Sequence, residues 1–170
     1  MPTVRVVSAG FAVAAFALLA GGCSINEYQV IVTTDGQSLE RATPLKVDVA
    51  FARNEEDVRK LDGTSVKQWF LSGGRDNIRP VPLQLTLAGR GPDAKPLTLK
   101  VADDYDNDPL ARERRIKRDI EGLYVFVHYE GEPDAGAKRL IKQSEFGEHP
   151  IIEIAIGRTQ IADVRFKEKK

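Results

Sequence analysis

Cys23 is the one thiol in a chain of 170 residues, and it closes an apolar run that collapses into small side chains, Leu18-Leu19-Ala20-Gly21-Gly22-Cys23. That setting makes it a candidate for covalent modification. The two histidines lie apart, His128 inside an apolar stretch and His149 before Pro150. Isolated histidines of this kind are usually satisfied core or surface residues, and neither is read as catalytic. No hydrolase elbow, phosphate-binding loop or metalloprotease signature is present. The acidic stretch Asp103-Asp104-Tyr105-Asp106-Asn107-Asp108 offers alternate oxygens at Asp104, Asp106 and Asp108, the opening of a calcium loop. The loop then fails, because Pro109 stands where the sharp turn needs glycine and Arg115 where a bidentate glutamate closes the site. A solvated acidic loop is the reading, with no metal and no cofactor expected. The basic run Arg112, Arg114, Arg115, Lys117 and Arg118 follows it, as a solvated face or as a contact for anionic lipid heads or an acidic partner.

The thiol takes its meaning from what precedes it. Residues 6–20 carry no charge after a start whose only ionisable side chain is Arg5, which is the shape of a secretory signal. The run is shorter than the roughly 20 apolar residues a membrane span requires, and it ends in Gly21-Gly22. Residues 1–24 resemble the signal peptide and lipobox of bacterial lipoproteins, with small side chains at Ala20, Gly21 and Gly22. The resemblance implies removal of residues 1–22, lipidation of Cys23, and a periplasmic position at the outer membrane, since Ser24 rather than aspartate follows the cysteine. Each buried methylene contributes about 0.8 kcal/mol, so more than one acyl chain makes such attachment effectively permanent. Cleavage after a small-residue run with Cys23 left as a stray thiol is the alternative that the residues leave open.

Removing residues 1–22 leaves 148 residues, one domain's worth. Basic and acidic side chains number 25 each, so the charge balance argues against nucleic acid. With Cys23 consumed, no cysteine is left for a disulfide, and stability must come from packing.

The dominant period of the remainder is two, which predicts a mainly β, mostly antiparallel protein of about seven short strands. They are placed at 28–33, 44–52, 82–88, 96–102, 122–129, 151–156 and 160–166, with a tether over 23–27 and the domain over 28–167. In Pro44–Ala52, Leu45, Val47, Val49 and Phe51 alternate with Lys46, Asp48 and Ala50, predicting one apolar and one wet face. Residues 82–88 and 96–102 read as a hairpin, and Gly122–Tyr129, apolar on both faces, as a central strand. A helical insertion is expected over about 54–72. Asn54 precedes the acidic turn Glu55-Glu56-Asp57, Thr64 offers a second cap, Val66, Trp69 and Phe70 fall at i, i+3 and i+4, and Gly73-Gly74 stops the run.

The order strand, turn-rich loop, Pro44-Leu45-Lys46-Val47 and helical insertion resembles the outer-membrane lipoprotein of the type VI secretion membrane complex. That family is a small β-sandwich of transthyretin or immunoglobulin-like type that contacts an inner-membrane partner through the loop joining its first two strands. The resemblance implies that partner contact here falls to the loop Thr34–Thr43. Its residues Asp35, Gly36, Gln37, Ser38, Leu39, Glu40 and Arg41 are the candidate binding set, with Leu39 as apolar anchor and Asp35, Glu40 and Arg41 setting register. Ranked behind this non-enzymatic scaffold is a binding module for envelope glycan or a small ligand, with an aromatic platform at Trp69, Tyr105 or Tyr124. An enzyme using Asp104 and Asp106 ranks last.

Overall fold

The computed structural model describes residues 25–34, 44–78, 82–88, 93–101, 115–116, 119–130 and 135–169. Its strands are β1 (Glu27–Thr34), β2 (Leu45–Ala52), β3 (Leu83–Leu87), β4 (Ala94–Val101), β5 (Arg115–Ile116), β6 (Gly122–His128), β7 (Lys138–Lys142), β8 (Ile151–Ile156) and β9 (Ile161–Lys167). Between β2 and β3 lie α1 (Glu55–Gly63), α2 (Val66–Leu71) and a 3-10 turn at Gly74–Asn77, and α3 (Gln143–Phe146) joins β7 to β8.

Two sheets form a sandwich. One has the order β5-β4-β1-β8-β9 and the other β3-β2-β6-β7. The period-two residues explain why they face each other. Tyr28, Val30 and Val32 of β1, with Leu99, Ile152, Ile154 and Ile156, turn inward from the first sheet. Val47, Val49 and Phe51, with Leu123, Val125 and Val127, turn inward from the second. Full burial of each such side chain contributes about 1.5–3 kcal/mol, and this shared core holds the sheets together.

The expected mainly β sandwich is therefore present, and all seven expected strands are found. The charged, short β7 (KRLIK) and the two-residue β5 carry too little alternation to read as strands, and they raise the number to nine among the described residues. Pairing is less uniformly antiparallel than expected, since β1 runs parallel to β8 and β4 parallel to β5. The expected hairpin of 82–88 with 96–102 does not form. β3 pairs with β2 and β4 with β1, in different sheets. Their leucines still share an environment, because the apolar faces of β3 and β4 look at each other across the core instead of lying side by side.

The helical insertion forms where its caps predicted. Asn54 Oδ1 accepts from the Asp57 N–H at 2.9 Å and opens α1 over its acidic first turn. The second cap is Ser65 and not Thr64. Ser65 and Gln68 make a reciprocal capping box, while Thr64 closes α1 by donating its hydroxyl to the Lys60 carbonyl at 2.7 Å. Gly73, at φ +70°, ends α2 in the left-handed conformation that glycine adopts without penalty. No helix among the described residues is long and apolar enough to cross a membrane.

Candidate functional site

Strand direction sorts the molecule into two poles. β1 enters beside Asn26 at one pole and delivers the chain to Thr34 at the other, from which β2 returns at Leu45. Residues 35–43, and with them the whole candidate set Asp35, Gly36, Gln37, Ser38, Leu39, Glu40 and Arg41, lie outside the described residues, as does Cys23. So do the acidic stretch 103–108 and all of the basic run except the backbone of Arg115. What is defined is the frame that holds the two ends of the 35–43 loop.

That frame is braced across the sandwich. The Thr34 N–H donates to the Asp93 carbonyl at 3.0 Å, and the Asp93 N–H donates back to Thr34 Oγ1 at 2.9 Å. Asp93 Oδ2 accepts from the Ala88 N–H at 2.8 Å, so one aspartate ties the exit of β1 to the connection between β3 and β4. Opposite, the Ile161 N–H donates to the Gly136 carbonyl at 2.8 Å and joins the stem of β7 to the β8–β9 turn. A Cβ on Gly136 would sit 2.7 Å from Gln160 Cβ, so this crossing depends on glycine. Loop stems pinned in this way present a loop without much freedom at its roots.

The second feature is the outer face of the β3-β2-β6-β7 sheet. The alternation of β2 predicted a wet face carrying Lys46, Asp48 and Ala50, but Asp48 and Ala50 are buried there because the helical insertion lands on them. Trp69 of α2 lies flat on Phe126, ring centroids 4.1 Å apart and planes 2° from parallel, and its Nε1–H donates to Asp48 Oδ2 at 2.9 Å. Arg75 Nη1 stands 3.4 Å from the same oxygen. Burial pushes the Asp48 carboxyl above its ordinary range, and the Trp69 and Arg75 hydrogen bonds only partly offset it.

A second latch holds α1. The Tyr124 hydroxyl donates to Asp62 Oδ1 at 2.7 Å, and Lys138 Nζ donates to the carbonyls of Leu61, Asp62 and Thr64 at 3.3, 2.7 and 3.1 Å. A cation on the last carbonyls of a helix satisfies otherwise orphaned acceptors and complements the helix dipole. Burial, followed by the neighbouring Asp62 carboxylate, raises the Tyr124 phenol well above its usual range.

These contacts decide the aromatic platform. Trp69 is 0 % exposed and Tyr124 is equally buried, so neither offers a face to a sugar, and Tyr105 lies outside the described residues. His149 stacks on Phe166 and His128 packs at a tilt of 36° against Phe70, and among the described residues no carboxylate hydrogen-bonds to either. The described residues contain no group of three or more His, Cys, Asp or Glu arranged to hold a metal. Neither latch was legible from spacing alone. The available signal was Asp48 itself, a lone acid on the strand that feeds directly into an amphipathic insertion.

Beyond the insertion, a row formed by Thr86, Lys46 and His128 crosses β3, β2 and β6 in register. With Pro44, Leu45 and Glu130 it lines a cavity of about 310 Å³ at the loop pole. Leu71, 64 % exposed, ends α2 and is the one strongly exposed large apolar side chain among the described residues.

The fold so defined is a two-sheet sandwich with helices inserted between β2 and β3, and it has solved counterparts. Serratia marcescens Lip, a membrane-bound component of the type VI secretion system, is similar over 85 % of this chain and 99 % of its own, at 14 % identity and a TM-score of 0.52. The type VI lipoprotein TssJ1 of Pseudomonas aeruginosa matches over 85 % and 98 %, at 8 % identity and a TM-score of 0.54. A chain in the structure of the TssM C-terminal domain from EAEC matches over 79 % and 98 %, at 8 % identity and a TM-score of 0.53. At these identities the likeness is one of fold, and at that level the expected resemblance to the type VI lipoprotein is borne out. No family model matches the sequence, and no curated protein does.

Proposed function

We propose that this chain is a lipid-anchored periplasmic scaffold protein that ties an envelope-spanning complex, a type VI secretion system, to the outer membrane through protein–protein contacts. The observation that carries the proposal is the near-complete coverage of Lip and TssJ1, a membrane-bound component and a lipoprotein of that system, by a chain whose first residues resemble a lipoprotein signal. In this reading Cys23 carries the acyl chains, and the loop bearing Asp35–Arg41 meets an inner-membrane protein, with Leu39 as its anchor. The action is mechanical and requires no turnover. Confinement beside a surface raises the domain's effective concentration for a partner that reaches across the periplasm. The buried state of Trp69 supports the scaffold over a glycan-binding module built on that residue.

The test is a membrane pull-down of the intact protein beside Cys23→Ala and Leu39→Asp, with captured proteins identified by mass spectrometry. Wild type is expected to fractionate with the outer membrane and to recover a large inner-membrane protein. Leu39→Asp is expected to stay membrane-bound and lose that protein, and Cys23→Ala to leave the membrane. Failure of every form to recover a partner would overturn the scaffold reading.

A further inference from the structure

The cavity at the loop pole holds two opposite charges that do not meet. Lys46 and Glu130 both line it, yet neither side chain makes an ion pair or a hydrogen bond among the described residues. Lys46 lies directly across from His128, the last residue of β6, and Glu130 follows His128 by two residues. A small molecule carrying both charges can meet the two groups with charge-assisted hydrogen bonds of about 2.8 Å each. Thr86 adds a hydroxyl that is also without a described partner, and Pro44 and Leu45 add an apolar flank. The far wall is fixed, because the His128 ring packs with its centroid 5.3 Å from that of Phe70, and the Arg75 guanidinium lies 6.0 Å from the centroid of the Phe70 ring.

We infer that this groove is a binding site for a small zwitterion of the α-amino-acid class, either free or as a terminal unit, its carboxylate on Lys46 and its ammonium on Glu130. A short aliphatic side chain fits the flank made by Pro44 and Leu45. The volume, about 310 Å³, is at the lower end of small-molecule sites and suits a ligand of this size. Asp48, two residues along β2 from Lys46, feels that ammonium through space, but its hydrogen-bonding oxygen is held by Trp69 and Arg75 and not by Lys46. The inference does not depend on the scaffold role.

The experiment is an NMR titration of the full chain, purified in detergent, with D-alanine and L-alanine. Acetate and ethylamine, which carry one charge each, serve as comparisons. Resonances of Lys46, Thr86 and His128 are expected to shift with alanine, with a Kd in the millimolar range or below and at least about tenfold weaker binding of either single-charge probe. Lys46→Met and Glu130→Gln are each expected to weaken alanine binding about tenfold or more while leaving the melting temperature unchanged. Acetate binding as tightly as alanine, indifference to Glu130→Gln, or absence of shifts at high alanine concentration would each overturn the inference.

Discussion

Asp48 is 1 % exposed and holds two donors on one oxygen, Trp69 Nε1–H and Arg75 Nη1. Its raised proton affinity makes the sign of its pH effect opposite to that of the usual paired carboxylate. The folded state binds the proton more tightly than the unfolded chain does, so the contribution of Asp48 to stability increases as pH falls through its raised pKa and is lost as pH rises above it. Asp48→Asn keeps an acceptor for the indole and removes the charge. The stability of wild type relative to this variant is expected to increase between about pH 7 and about pH 4. Chemical denaturation at several pH values checks it, and a difference that shrinks on acidification would show that the ion pair with Arg75 outweighs burial. The partly exposed Arg75 can turn to water in the variant.

At the scale of elements, the insertion is fastened at two points that come from different strands, Asp48 on β2 for α2 and Tyr124 and Lys138 on β6 and β7 for α1. Lys138→Met would leave three carbonyls at the end of α1 without their charged donor. A loss of about 1–2 kcal/mol is expected, read as earlier unfolding in urea by the fluorescence of Trp69, the chain's only tryptophan. An unchanged midpoint would mean that water replaces the ammonium without cost. Elements like these also show what the sequence could reveal. The strands with clean alternation, such as YQVIVT and IIEIAI, were visible because one face is buried and one is not. The capped insertion was visible because Asn54 and Gly73 have single conformational reasons to be there. The landing face of the insertion was not, since nothing local distinguishes an acid facing water from one facing a tryptophan. The partner of β3 was hidden as well, because a Pro/Gly-rich connection suits a hairpin and a crossover equally. Of the candidate site, the two stems at Thr34 and Pro44 are seen, and Asp93, to which no local pattern pointed, braces the Thr34 stem against Ala88 at the end of β3.

For the whole molecule, polarity is set by β1. Its eight residues span about 27 Å at the usual rise per residue, so the Asn26 end and the Thr34 end are that far apart. If lipid is attached at Cys23, Thr34, Pro44 and the groove lined by Lys46 and Glu130 stand at the pole away from the bilayer. α3, which shares the pole of the β1 entry, stands near it. A fluorophore at exposed Ser144 is therefore expected to be quenched by brominated lipids more strongly than one at exposed Thr159, measured with the acylated protein in vesicles. Equal quenching would mean that the domain lies on its side.

The parallel pairing of β1 with β8 also bears on how such a chain is made. Gln29 sits opposite Ile151, so the first strand acquires one of its two neighbours only when almost the last strand is available. Closing so distant a pair is entropically slow and comes late in folding. The N-terminal half has no completed sheet to fold into until the C-terminal strands have been made. Its fold is sealed from the far end of the sequence, after the residues of β1 have long been waiting.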